Sequence, residues 1–133
     1  MIIHGRSISR GTGTGKILVS PAPISFLSGV DPDTGIVVEK GHPLEGQSVA
    51  KTVLVFPFGK GSTVGSYVLY ALAKNGHAPA AIINTEAEAI IATGAIIGNI
   101  PMIDRTEIPI TGFVTGTIAT VDGNAGTIEC QDT

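Results

Sequence analysis

The stretch KTVLVFPFGKGSTVGSYVLYALAKNGHAPAAII, residues 51–83, decides the fold. Its first part, Lys51 to Pro57, is short, apolar and β-branched, the composition of a strand buried on both faces. A glycine-flanked loop follows. Thr63 to Lys74 then carries Val64, Val68 and Leu72 at i, i+4 and i+8, with Tyr67 and Ala71 as a second row on the same side. That spacing predicts a helix with one core-facing stripe. Ser62 or Thr63 can cap its start, and Asn75-Gly76 can end it. Ala80-Ala-Ile-Ile is a second buried strand. Two buried strands joined through one helix make a βαβ crossover over Lys51 to Ile83, which places the strands parallel.

Outward from this centre the chain changes character. Upstream, Arg6–Ser9 and Lys16–Val19 read as two short strands around a glycine turn, Gly11 to Gly15. Ser20 to Gly35 is turn-rich, and its DPDTG segment, Asp31 to Gly35, predicts an Asx-type turn. A loop this long in a compact domain is functional or lines an interface. Downstream, Thr85 to Ala92 predicts a short helix with Thr85 as N-cap and Glu88 at the capping-box position. Ile96 to Ile103 is a third apolar strand candidate, and Gly112 to Glu129 alternates around an Asp122-Gly123 turn, a strong hairpin signal. No linker divides the 133 residues, so one domain over residues 1–133 is expected. Its fold class is α/β: a compact β/β/α domain with a central βαβ crossover and a C-terminal β-hairpin.

Charged residues are 14% of the chain, against roughly 25% in ordinary globular proteins. A small domain has much surface to cover, so this one presents a neutral or partly apolar surface. That points to a permanent partner, the alternative being a Gly/Ser/Thr-rich surface that solvates itself. The net charge of −3 without a basic cluster argues against nucleic acid. The longest apolar run, Ala87 to Ile97, is interrupted by Glu88, Thr93 and Gly94 and falls far short of the ~20 residues that span a bilayer. The N-terminus lacks the basic-then-apolar layout of a signal peptide, so a cytoplasmic protein is expected, with no membrane association. One cysteine, Cys130, can form no internal disulfide. Nor can it alone hold an iron–sulfur cluster, which usually takes about four thiolates. No metal is expected on this chain, and any cluster belongs to another one.

Chemistry concentrates in FPFGKGSTVGSY, residues 56–67. A nucleotide P-loop places Lys and a hydroxyl after its last glycine; here Lys60 precedes Gly61, and position 55 is not glycine. Two readings stay open. One is a tight strand-to-helix turn in which Ser62 only caps. The other is an anion site, in which the helix N-terminus offers free amides, Gly59 and Gly61 admit a ligand to the backbone, and Lys60 adds a charge. A helix dipole supplies at most ~2 kcal/mol, and one pKa unit corresponds to about 1.36 kcal/mol. The loop alone therefore lowers the Ser62 hydroxyl by about one or two units, too little to make it a base at neutral pH. Further positive charge must come from Lys60, a metal or a partner chain, so the domain looks like part of a site. His4, His42 and His77 are scattered, without metal-ligand spacing, and read as surface or structural residues. None lies on a glycine loop, which argues against a phosphohistidine carrier. Glu86 and Glu88 suit a helix start, and Arg6 and Arg10 read as solvated edge residues.

Three stretches carry a resemblance: GRSISRGTGTGKILVSPAPISFLSGVDPDTG (5–35), GHPLEGQSVAKTVLVFPFGKGSTVGSYVLY (41–70) and NGHAPAAIINTEAEAIIATGAIIGNIPMID (75–104). Together they resemble the aconitase X swivel domain family and, within it, the free-standing small subunits of archaeal phosphomevalonate dehydratases. The resemblance implies a swivelling β/β/α domain that pairs with a large subunit carrying a 4Fe-4S cluster. It also implies a hydro-lyase that removes water from (R)-5-phosphomevalonate to give trans-anhydromevalonate 5-phosphate in a modified mevalonate (isoprenoid) pathway. In enzymes of this kind a swivel-domain serine abstracts the proton while the cluster iron takes the leaving hydroxyl, and the serine matching that role is Ser62. Gly61 and Thr63 flank it, Lys60 meets an anionic group, and the loop Ile24 to Gly35, with Ser25, Phe26 and Asp31, is where substrate contacts are expected. Fused relatives that dehydrate cis-3-hydroxy-L-proline are the neighbouring alternative within the family. A non-catalytic module that holds an anion or a partner on the Gly59–Thr63 loop is the alternative outside it.

Overall fold

The structure, a computed structural model, describes residues 1–131. Its centre is the expected crossover: β4 (Val53–Phe56) and β5 (Ala81–Asn84) run parallel, joined through α1 (Gly65–Lys74). Every residue of both strands is buried, as their unbroken apolar composition requires. A second crossover follows, in which α2 (Ala89–Ile97) returns the chain to β6 (Met102–Asp104), parallel to β5. The remaining strands are β1 (Ile2–His4), β2 (Arg6–Ser9), β3 (Thr12–Val19), β7 (Ile118–Asp122) and β8 (Thr127–Cys130). β7 and β8 form the predicted C-terminal hairpin, with Asp122 Oδ1 accepting the Asn124 and Ala125 N–H groups in its turn.

The strand order is β1-β8-β7-β3-β4-β5-β6-β2. β3 joins two sheet regions: Ile17–Val19 pair parallel with β4, while Thr12–Lys16 pair antiparallel with β7. The two outermost strands, β1 and β2, are separated in sequence by Gly5 alone, so the sheet folds back on itself. Alternation along the parallel strands then feeds two cores. Val53, Val55, Ala81, Ile83 and Ile103 face the antiparallel strands, meeting Ile3, Ile17, Ala119, Val121 and Ile128. Leu54, Phe56, Ile82 and Met102 face the helices, meeting Leu69, Leu72, Ile91 and Ala95, and a cover of loop residues that includes Ile24, Phe26, Val30 and Val49. The result is the expected β/β/α layering.

Several local expectations are corrected. The glycine stretch Gly11 to Gly15 is not a turn but mostly the first half of β3. A Cβ at Gly13 would fall 2.0 Å from the Ala80 carbonyl oxygen, and one at Gly15 would fall 2.3 Å from that of Lys51, so this strand needs glycine to pass so near the β4 and β5 entrances. α1 begins at Gly65 rather than Thr63 and has no side-chain cap. Its inward face is Gly65, Ser66, Leu69 and Leu72, whereas Val64 and Tyr67, expected in the core, are exposed. The face turns because α1 packs closely on α2, where Gly94 lies under Leu69 and Ser66. The N-cap of α2 lies three residues later than predicted. Glu88 is its N-cap, accepting the Ile90 and Ile91 N–H groups at 2.9 and 2.7 Å, while Thr85 sits on the chain leaving β5. Ile96 and Ile97 end α2 rather than begin a strand, and β6 starts only at Met102. No helix among the described residues is long and apolar enough to cross a membrane.

Candidate functional site

Loops leaving the carboxyl ends of parallel strands form the crevice in which α/β sheets place their ligands. Here β4 delivers Pro57 to Val64, β5 delivers Thr85 to Glu88, and Arg105 follows β6. The first loop is held along the segment that starts at Ile24. Ile24 and Gly59 form a parallel bridge, Lys60 N–H donates to the Ile24 carbonyl at 3.0 Å, and Ile24 N–H donates to that of Phe58 at 3.4 Å. Gly59 is buried against α2, and a Cβ there would lie 2.1 Å from Ile91 Cγ1 and 2.8 Å from Glu88 Oε1. Gly61 has φ +96°, and a Cβ on it would lie 2.6 Å from Ser25 Oγ. Both glycines are required by sterics, and the fold brings Ser25 against the loop. Its hydroxyl donates to the Leu27 carbonyl at 2.8 Å.

Ser62 stands exposed at the apex. Its Oγ accepts the Val64 N–H at 3.1 Å, and its carbonyl accepts the Gly65 N–H at 2.9 Å as α1 begins. Ser62 therefore closes a local hydroxyl turn rather than capping the helix. A donor aimed at the hydroxyl oxygen favours its anionic form. Among the described residues, the N–H groups of Gly61, Ser62 and Thr63 meet no acceptor, so three donors gather where the α1 dipole is positive. α2, by contrast, has its N-terminus occupied by the Glu88 carboxylate. Lys60 Nζ lies 3.5 Å from Glu39 Oε2. Glu39 is a site residue with no signal in the sequence, since only the fold brings it beside Lys60.

The surroundings are apolar for an exposed place. Leu27, Val38, Phe58, Val64 and Tyr67 all stand exposed on the segments flanking Ser62, Tyr67 to 68%. Phe26, expected among the substrate contacts, is instead core, its ring 6.1 Å from that of Phe56. Asp31 makes the expected Asx turn, accepting the Asp33 N–H at 2.9 Å. His42 is buried: its Nδ1 accepts the Leu44 N–H at 3.0 Å and its Nε2 lies 3.1 Å from the Pro23 carbonyl, so the proton resides on Nε2 and the ring ties the loop together.

Beside the loop lies a charge network that the edge assignment of Arg6 missed. Asp104, fully buried at the end of β6, accepts Arg6 Nε at 2.9 Å, Arg6 Nη2 at 2.7 Å and the Ala87 N–H at 2.7 Å. Arg105 pairs twice with Glu86, at 2.9 and 2.7 Å. Burial opposes ionisation of Asp104, but the Arg6 guanidinium and the Ala87 N–H outweigh it and hold the carboxyl below its usual value. The Arg105 guanidinium likewise lowers Glu86. Two positive and two negative groups leave the network neutral, so it anchors rather than attracts. Asp104 fixes Ala87, and the 85–88 turn in turn sets Glu88 beneath Gly59. Cys130 is buried in the other core, and among the described residues no three His, Cys, Asp or Glu side chains converge as a metal would need.

The chain matches the family model described as aconitase X swivel domain over residues 2–130. It is similar to a protein named phosphomevalonate dehydratase small subunit from Methanocella arvoryzae, 60% identical over 97% of this chain and 98% of that one. A protein of the same name from Thermococcus kodakarensis is 53% identical over 97% and 96%. A crystal structure of Thermococcus kodakaraensis aconitase X in its holo form superposes with a TM-score of 0.94 at 51% identity, covering 99% of each chain. The overall fold is thus that of a solved relative matched along nearly the whole length, and this chain belongs to the aconitase X swivel domain family.

Proposed function

We propose that this chain is the small subunit of a cytoplasmic phosphomevalonate dehydratase, with Ser62 as the general base. The names carried by its relatives support the activity. The single observation that supports the base is Ser62 Oγ itself: exposed on a loop directly after two sterically required glycines, Gly59 and Gly61, at an uncapped helix start, accepting the Val64 N–H. In the elimination the Ser62 alkoxide takes the proton from the carbon next to the departing hydroxyl. The C–H electron pair becomes the new double bond of trans-anhydromevalonate 5-phosphate, and the expelled hydroxide recovers the proton from Ser62 and leaves as water. The Val64 N–H and the α1 dipole stabilise the oxyanion that must form before the proton moves. The free N–H groups of Gly61 and Thr63 and the Lys60 ammonium are the groups offered to the anionic substrate, joined by the Ser25 hydroxyl once it turns from the Leu27 carbonyl.

The dipole's ~2 kcal/mol falls short of full activation. The balance is assigned to a large subunit that closes over the exposed apolar ring and excludes water, which strengthens each of these interactions. The 4Fe-4S cluster is assigned to that subunit as well, because one buried thiol and no convergent donor set among the described residues do not fit it. A Ser62→Ala chain should assemble with the large subunit as the wild type does, with KM little changed. Its kcat should fall by about 10²–10⁴, the contribution of a positioned base. Turnover within a few-fold of wild type would refute the assignment.

A further inference from the structure

The Lys60–Glu39 pair has a geometry that the strong ion pairs of this chain lack. Its single contact is 3.5 Å long, with Lys60 47% and Glu39 32% exposed, whereas Arg6–Asp104 and Arg105–Glu86 each close two contacts below 3 Å. Yet the two ends of the pair are firmly based. The Lys60 backbone is clamped to Ile24, between buried Gly59 and the left-handed Gly61. Glu39 extends from the strand-like contact in which Val38 N–H donates to the Gly29 carbonyl at 2.9 Å, and its Oε1 lies 3.4 Å from where a Gly29 Cβ would stand. A cation and an anion carried on anchored backbone are thus held just short of close contact, next in sequence to three backbone N–H groups with no acceptor among the described residues.

Resting on the reading of this loop as the substrate site, we propose that Glu39 is a resident counter-ion of Lys60, displaced when the phosphate of the substrate arrives. Glu39 occupies the cation's open face in the free state and repels a dianion approaching the Gly61–Thr63 amides. An exposed, monodentate pair is weak enough to open at little cost. Displacement releases Lys60 to the phosphate without moving the backbone, since the main chain around Lys60 is anchored by Ile24 rather than by the pair. Glu39 is therefore a positioning residue that sets affinity for anionic groups and not the rate of proton transfer.

The test uses the complex with the large subunit and two readouts, steady-state kinetics with 5-phosphomevalonate and calorimetric titration with inorganic phosphate. Glu39→Gln should lower KM and the phosphate Kd by about two- to fivefold while kcat stays within twofold. In a Lys60→Gln background the same change should have no effect on either constant, because the charge it frees is gone. A raised KM in Glu39→Gln would show that Glu39 holds Lys60 in its working place, and an equal gain in the Lys60→Gln background would reduce the effect to bulk charge; either overturns displacement. Failure of the parent reading is separate: an active Ser62→Ala complex would end the Ser62 assignment, whereas the phosphate titration reports on the Lys60–Glu39 pair without any turnover.

Discussion

Arg6→Ala isolates the buried carboxylate at the end of β6. The wild-type Asp104 side chain is fully buried and holds three hydrogen bonds, two of them to Arg6. Removal of Arg6 leaves the carboxylate with the Ala87 N–H and with Arg105, which is already committed to Glu86. Breaking a buried pair from one side typically costs 3–5 kcal/mol. Arg6 is itself 44% exposed, so its loss opens a path for water and favours the lower end, about 3 kcal/mol. An unfolding entropy near 2.1 cal/mol/K per residue amounts to about 0.28 kcal/mol/K for this length, so Tm should fall by about 11 °C. The pH dependence carries the sign. In the wild type the Asp104 carboxyl is held low, so its contribution is complete above the unfolded value and is lost as pH falls through the folded one. In the variant burial dominates and raises the carboxyl, so the penalty exists above that raised value and disappears as pH falls through it. The gap between the two melting curves should therefore be widest near neutrality and narrow towards about pH 4. Circular-dichroism melts of both chains across that range decide the matter. A neutral-pH loss below about 3 °C, or a gap indifferent to pH, would refute the account of Asp104 as an ionised anchor.

Two further substitutions probe the loop's supports. Gly61→Ala must adopt φ +96° and place its methyl 2.6 Å from Ser25 Oγ, so stability should fall by about 1–2 kcal/mol. Turnover of the assembled enzyme should fall by about 10²-fold as Ser62 shifts, and unchanged kinetics would show that the loop tolerates displacement. Glu88→Ala removes the carboxylate that caps α2, a loss of about 1 kcal/mol that should lower Tm by about 4 °C in the same melts.

The parts of the fold visible in the sequence are those whose pattern is set locally. β4, α1 and β5 each have a length and composition that admit one structure, and the Asp122 turn carries its own chemistry. The errors lie where the deciding contact comes from far along the chain. Gly13 and Gly15 resemble turn glycines until the Ala80 and Lys51 carbonyls are placed against them. Residues 89–102 are apolar almost throughout, so no period separates helix from strand; Gly94 packing under α1 makes the first nine helical. Neither Glu39 nor the Arg6–Asp104 pair has a sequence spacing that announces it, because each is a contact between distant segments.

Two features of the sequence compete for the same residues. Low charge content calls for an apolar surface, whereas helical periodicity places Val64 and Tyr67 in the core, which would remove part of that surface. The structure assigns both to the surface, because the face of α1 that meets α2 must carry the smaller Gly65 and Ser66. Consequently part of the apolar surface lies beside Ser62, in addition to the exposed Met1, Ile2, Ile96 and Val114 elsewhere. A subunit that covered Tyr67, Phe58 and Leu27 would also dry the Ser62 loop, and drying strengthens the electrostatic interactions of the unpartnered amides and of Lys60. On the proposed role of Ser62, the activation that a solvated loop cannot supply would be coupled to assembly, and a serine without a histidine neighbour would act as a base only in the closed complex.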